Sequence, residues 1–155
     1  EGRFEQIGKP EEVYRRPATE YVADFLGARN RLALKAEGDG SAHVEGVRLA
    51  GFVRSGFTGS YVLRFRDTDL KLRPAGSTGG DASHWVSGAE VVEVLPAGDH
   101  AEHVVRIGDR QLFIDVPVAQ GVFSPGQAVE VGIDLAHTLC YDSNGRRVED
   151  WAPVR

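Results

Sequence analysis

Methionine is absent from the sequence, and cysteine occurs once, as Cys140. A single thiol excludes an intrachain disulfide and points to a reducing, cytosolic compartment. The missing methionine, at position 1 as elsewhere, is what a segment cut from a longer polypeptide would show, and we expect such a segment. No apolar run approaches the roughly 20 residues that span a bilayer. Nor does a positively charged leader precede an apolar stretch. Basic residues are outnumbered, 18 Lys and Arg against 23 Asp and Glu, giving a net charge of −5. A polynucleotide partner calls for a basic field, and the balance argues against one.

What is present is an ordinary apolar content of 41% and 19 glycines in 155 residues. The apolar content supports one packed domain with appendages, and the glycines predict tight turns between short strands. The first 30 residues read as helical. Pro10 suits a first helical turn, Glu11 and Glu12 follow where negative charge is favoured, and Pro17 stops the helix after Arg15 and Arg16. Thr19 is placed to cap a second helix, with Tyr21, Val22, Phe25 and Leu26 as one apolar stripe and Gly27 ending it. Helices this short are marginal alone, so Val13, Tyr14, Val22, Phe25 and Leu26 are expected to dock on the rest of the chain or on a second copy.

From Arg31 the period becomes two. Residues 31–37 alternate, and 42–50 read as a second strand with Gly46 as a bulge. Residues 61–66 and 69–74 read as a hairpin around Asp67-Thr68. A polar connector, 75–83, divides the β region. Strands follow in 85–95, 102–107, 110–116, 127–134 and 137–142, with turns at Pro96-Ala97-Gly98, Gly108-Asp109, Pro125-Gly126 and Ser143-Asn144-Gly145. Spacings of this kind predict a small sandwich or barrel, so the fold class is mainly β, preceded by two short α-helices.

Chemistry is sparse. The connector Ala75-Gly76-Ser77-Thr78-Gly79-Gly80 is rich in glycine, but no Lys follows and no helix opens, so it reads as a connector rather than a phosphate cradle. His100/His103 and His137/Cys140 are each three apart, and strand residues at that spacing face opposite sides, which disfavours one shared metal ion. Cys140, between Leu139 and Tyr141, reads as a small buried hydrophobe. Glu90, Glu93, Asp115, Glu130 and Asp134 read as charges that wet one face of their strands. No catalytic, cofactor-binding or metal-ligating set emerges.

The opening run carries a resemblance. Gly2, Phe4, Gln6, Gly8, Pro10, Glu12, Val13, Tyr14 and Pro17, then Val22, Ala23, Phe25, Leu26, Gly27 and Asn30, resemble the segment in which the ATPase domain of ABC importers hands over to its C-terminal accessory region. Lys9 stands where that family has Thr or Ser, and Tyr21 where it has Phe. Arg73 and Pro74 resemble the end of a family strand, though Ala75 replaces Glu. Residues 137–148, with Asp142 and Gly145, resemble its closing hairpin, with Cys140-Tyr141 in place of a Leu-Phe pair.

The resemblance implies a TOBE region, an OB-like β-barrel, in residues 31–155, with 1–30 as the helical tail of the nucleotide-binding domain and linker. It implies a regulatory and dimerisation role in solute import for polyamine, ferric iron or sugar transporters, at the cytoplasmic face of the membrane. ATP and Mg would belong to an upstream ATPase domain, so this chain itself would be no enzyme and hold no cofactor. Its partners would be a second copy, the upstream domain and the permease subunits, with no nucleic acid. Outward apolar residues are then expected, with Trp85, Phe113, Phe123 and Trp151 as candidates against core positions. An alternative is a molybdate-like oxyanion module using 55–60 and 75–80. A single-stranded nucleic-acid binder, hinted at by Arg64-Phe65-Arg66, is a third reading.

Overall fold

Two six-residue helices open a fold otherwise made of antiparallel strands, described here from a computed structural model for residues 8–153. Gly2, Phe4 and Gln6 of the opening motif lie outside the described residues. Helix α1, Pro10–Arg15, begins with Pro at its first turn beside Glu11 and Glu12, and Lys9 makes no side-chain cap bond. Helix α2, Glu20–Phe25, is capped by Thr19, whose hydroxyl accepts the Val22 N–H at 3.2 Å. Gly27, at φ +97°, follows it. A left-handed residue just past a helix favours glycine.

The strands are β1 Asn30–Asp39, β2 Ala42–Val44, β3 Val47–Leu49, β4 Ser55–Phe65 and β5 Leu70–Pro74, then β6 His84–Ala97, β7 His100–Ile107, β8 Arg110–Pro117, β9 Ala128–Ile133 and β10 Leu139–Tyr141. One sheet has the order β10-β4-β1-β2-β3 and the other β5-β9-β6-β7-β8. The second sheet curls until its edge strands β5 and β8 approach each other, and β8 also meets β1, which closes a barrel-like shell. The mainly β class expected from the period is observed, as is the OB-like barrel that the resemblance implied.

Two local expectations are corrected. Residues 42–50 are two strands, with Glu45 and Gly46 at φ +48° and +80° forming the turn between them. Two successive positive φ values match the twist of a tight hairpin, so Gly46 turns the chain instead of bulging it. Residues 61–66 and 69–74 do not pair. Strand β4 lies along β1, with Leu32 opposite Leu63, while β5 lies along β9, with Leu72 opposite Val131. The intervening corner is closed by the Asp69 N–H on the Arg66 carbonyl at 3.0 Å and by the Asp69 carboxylate on the Arg66 N–H, also at 3.0 Å. It carries the chain from one sheet to the other because Phe65 and Leu70, on either side, both belong to the core between the sheets.

That core alternates as the sequence does. Leu32, Leu34 and Ala36 of β1 point inward with Leu63 and Phe65 of β4, against Val86, Val91, Val105, Leu112, Ile114, Val131 and Ile133. Each such side chain contributes about 1.5–3 kcal/mol by leaving water.

The sheets are also joined by hydrogen bonds. Asn30, 1% exposed, donates its side-chain N–H to the Phe113 carbonyl at 2.8 Å and accepts the Phe113 N–H at 2.7 Å. Its carboxamide thus acts as one more strand residue on the edge of β8. Next to it, Arg29 spans Asp67 at 2.7 Å and Glu102 at 2.6 Å and lies over the Phe113 ring at 3.9 Å. Asn30→Ala orphans both Phe113 groups and is expected to destabilise the chain by about 2 kcal/mol or more. Asn30→Asp keeps the shape but not the donor and should recover little of that loss. Urea unfolding measures both, and an Asn30→Ala midpoint equal to the parent's would remove the clamp from the account.

Candidate functional site

The seam where the two helices meet the first sheet holds a buried arginine and its carboxylate partners. Arg64 of β4 is 8% exposed. Its Nε donates to Glu20 Oε2 at 2.8 Å, and its Nη1 donates to Asp24 Oδ1 at 3.0 Å and to the Ala28 carbonyl at 3.2 Å. Glu20 also accepts from Arg31 Nε at 2.7 Å. Burial pushes the Glu20 carboxyl up, but the hydrogen bonds and charges of Arg64 and Arg31 outweigh it and hold it below the ordinary carboxylate range. A buried guanidinium is tolerable only when it is paired in this way, so Arg64 fixes where α2 can sit.

Beneath α2 the contact is close. Ala23 and Ala28, both fully buried, rest on Tyr141 of β10. The Tyr141 hydroxyl donates to the Pro17 carbonyl at 2.8 Å, and burial pushes its phenol up, so the proton that makes this bond stays in place. The turn after β10 completes the dock. Asp142 Oδ1 accepts from the Asn144 and Arg146 N–H groups at 2.9 and 3.0 Å, and Gly145, at φ +76°, offers its carbonyl to the Glu20 N–H at 2.8 Å. The Arg147 N–H reaches the Ala18 carbonyl at 2.9 Å.

This register corrects the expected docking stripe. Ala23 faces the sheet, whereas Tyr21 and Phe25 are 68% and 78% exposed. The reason is steric and electrostatic together. Small residues let the helix approach Tyr141, and the Glu20 and Asp24 carboxylates must reach Arg64 on that same side. Val22 and Leu26 are half-buried. Helix α1 is held mainly at its end, where Arg66 lies over the Tyr14 ring at 4.0 Å and donates to the Tyr14 carbonyl at 2.5 Å, and Arg147 donates to the Arg16 carbonyl.

The motif residues therefore sort by place. Gly8 is exposed before α1, Pro10 and Glu12 are in its first turn, and Tyr14 is half exposed beneath Arg66. Pro17, Gly27, Asp142 and Gly145 shape the seam, Asn30 clamps the sheets, and Phe25 faces outward. Arg73 is far from these. It pairs with Glu130 at 2.7 Å, donates to the Gly79 carbonyl at 2.5 Å and lies over the Trp85 ring at 4.2 Å, while Pro74 ends β5. The Arg73 hydrogen bond, with the Gly76 N–H, holds the Glu130 carboxyl below its ordinary range.

A cleft of about 400 Å³ opens at the mouth of the barrel between β5 and β8, with Lys71, Arg73, Trp85, His100, Asp115 and Phe123 in its wall. His103 is buried, with Nδ1 3.0 Å from the Ala101 carbonyl and Nε2 accepting the Phe123 N–H at 3.2 Å, so its proton sits on Nδ1. His100 instead lies beside Asp115. Among the described residues no three His, Cys, Asp or Glu side chains converge on one point. Burial, with the Asp142 charge, pushes the Cys140 thiol up to about 12, and it stays protonated in the core.

Trp85, Phe113 and Phe123 are half-buried and Trp151 is buried against Phe52, so none forms an open apolar face. Exposed apolar side chains lie elsewhere: Tyr14, Tyr21 and Phe25 on the helices, and Val92, Leu95, Val118 and Val122 in the second sheet and the segment leaving it. Of the second set, Val118 lies at the β6–β7 turn, where its N–H reaches the Asp99 carbonyl at 2.8 Å. Arg64 and Phe65, the nucleic-acid hint, are buried. Sequence reasoning passed over Glu20, Arg64 and Tyr141 as site residues. The available signal was an arginine set between Leu63 and Phe65 in a strand.

No protein-family model matches the chain. Its fold matches that of the cytoplasmic molybdate-binding protein ModG, in a molybdate-bound form, with a TM-score of 0.51 at 16% identity over 73% of this chain and 95% of that one. The class is thus a TOBE-like, OB-related β-barrel. By sequence the chain is 35% identical over 156 residues to the sn-glycerol-3-phosphate import ATP-binding protein UgpC of Paraburkholderia xenovorans, covering 94% of this chain and 41% of that protein. It is 30% identical over 149 residues to the spermidine/putrescine import ATP-binding protein PotA of Rubrobacter xylanophilus, covering 90% of this chain and 38% of that protein. The chain is thus a homologue of part of these ABC importer ATP-binding subunits and spans about two-fifths of their length.

The depressed Glu20 carboxyl gives the seam a pH dependence. Its contribution is complete above the ordinary carboxylate value of 4.5 and is lost as the pH falls through the lower value it has in the folded chain. Relative to the intrinsic rate at each pH, the amides of Ala23 and Ala28 are expected to lose protection at acid pH before those of the core strands. In Glu20→Gln the same amides should exchange faster at neutral pH and lose most of this acid response. An acid response unchanged by that substitution would assign it to other groups.

Proposed function

We propose that the chain is the C-terminal accessory barrel of an ABC importer's ATP-binding subunit, which holds two subunits together and receives regulatory input. One observation carries the reading. The fold closes its core, yet leaves large apolar side chains exposed on β6 and in the segment after β8, the barrel tip, at Val92, Leu95, Val118 and Val122. Exposed groups of this kind, rimmed by polar residues, suit a protein partner. A barrel with few free strand edges is a rigid platform for such a contact.

On this reading the barrel tip meets a second copy, and Tyr21 and Phe25 face the upstream ATPase domain. Residues 1–30 are the tail and hinge of that domain, and 31–155 are the accessory barrel. ATP and Mg belong to the upstream domain, the chain itself performs no hydrolysis and needs no cofactor, and permease subunits are met through the full subunit. The whole assembly sits at the cytoplasmic face of the membrane, with no nucleic acid as partner. The oxyanion reading of the connector has less support, because the Gly76 N–H it would offer already donates to Glu130 at 3.2 Å.

Light scattering tests the self-association. The chain should be dimeric at high protein concentration, and Leu95→Asp combined with Val122→Asp should return it to a monomer with unchanged unfolding. A parent chain that stays monomeric throughout, or a dimer indifferent to the double substitution, would overturn the barrel-tip assignment.

A further inference from the structure

A trough of about 560 Å³ runs between the end of α1, the β4–β5 corner and the segment leading into β10, lined in part by Tyr14, Arg15, Arg66, Thr68 and His137. A second hollow continues from it towards the C-terminal segment, sharing Arg15, Arg16 and Leu139 and adding Arg147. Arg15, Arg16 and Arg66 thus line the trough, and Arg147 lines the hollow beside it, in a chain whose net charge is −5.

Part of this charge is structural. Arg66 and Arg147 each spend one Nη on a carbonyl at the end of α1, those of Tyr14 and Arg16, which have no partner within the helix. Capping does not use up the guanidinium groups, each of which carries five N–H donors. Arg66 has no carboxylate within ion-pair distance among the described residues. Its Nε and that of Arg147 are two of the three buried side-chain atoms without a hydrogen-bond partner among the described residues. Buried cationic donors left over beside the trough call for an explanation, and the negative charge of an anion held in the trough supplies one. The carboxylates at hand are few. Glu11 pairs with Arg15 on the exposed side at 2.9 Å, Glu149 pairs with Arg147 at 2.9 Å, and Asp69 is engaged by the Arg66 N–H.

We propose that this trough binds the phosphate group of a small phosphate ester, with Arg15, Arg16 and Arg66 as its cationic walls. Donors arranged on more than one side suit a tetrahedral dianion better than a planar carboxylate. The volume exceeds what inorganic phosphate fills, and the Tyr14 ring, Ala136 and Leu139 give the ester's organic part an apolar wall. The bound group would touch α1 and the barrel together, so occupancy tightens the helices on the sheet. The site is separate from the barrel tip and does not depend on self-association.

Calorimetry on the whole chain tests it, with phenyl phosphate, inorganic phosphate, benzoate and phosphatidylcholine vesicles holding roughly a quarter phosphatidylglycerol. Phenyl phosphate should bind with a Kd below about 1 mM and benzoate at least about tenfold more weakly. Arg66→Gln and Arg15→Gln should each weaken phenyl phosphate by roughly tenfold. Arg15 is mostly exposed and, among the described residues, has an ion pair to Glu11 alone, so Arg15→Gln should leave thermal unfolding unchanged and keep the test clear of folding. Absence of heat with both phosphates at about 10 mM would overturn the site. So would equal affinity for benzoate, or affinities untouched in both variants. Binding to the vesicles alone would replace it with a lipid surface.

Discussion

The carboxamide of Asn30 pairs with both backbone groups of Phe113, and the rest of the architecture hangs from that contact. A sheet edge exposes N–H and C=O groups that must find partners. Here one side chain at the start of β1 supplies both partners for the edge of β8, so the first strand of one sheet is fixed against the last strand of the other. Arg29, one residue earlier, adds its two carboxylates and the Phe113 ring on the outside of the same joint. With β1 held, the core between the sheets has a defined thickness, and Leu32 and Leu63 meet the inward residues of the second sheet.

The same joint decides what the helices can do. Six-residue helices do not persist alone in water. Those preceding Asn30 are ordered by three different forces: close packing of Ala23 and Ala28 on Tyr141, a buried arginine with carboxylate partners, and backbone bonds to the turn after β10. Burial of Arg64 is costly unless Glu20 and Asp24 are present, so the ion pairs specify the register more than they add stability. The N-terminal helices and the C-terminal turn, far apart in sequence, become one surface.

For function, the consequence is a body with satisfied interior chemistry and unsatisfied exterior surface. Titratable groups of the seam are arranged to hold elements together. The clefts are lined by charged side chains already engaged with one another, apart from the arginine trough. The chain is homologous to ABC importer ATP-binding subunits over only about two-fifths of their length.

Much of this was legible in the residue order, and the division has a physical basis. Period-two alternation, Gly and Asn-Gly punctuation, Pro10, the Thr19 cap and Gly27 are local signals, so the mainly β class, the helix limits and most turns follow from sequence alone. The motif around Pro10, Tyr14, Pro17, Gly27 and Asn30 also named the family, though not what each residue touches. Partnership was not legible. Residues 61–74 look like a hairpin because both arms alternate, and only the crossing between sheets shows that β4 belongs with β1 and β5 with β9. The face of α2 that docks was misjudged because hydrophobicity favours Phe25, whereas the space above Tyr141 admits alanine and the charge of Arg64 demands Glu20 and Asp24. Local order is written in neighbouring residues. Which surfaces meet depends on volume and charge brought together across the whole chain, and only the tertiary structure decides it.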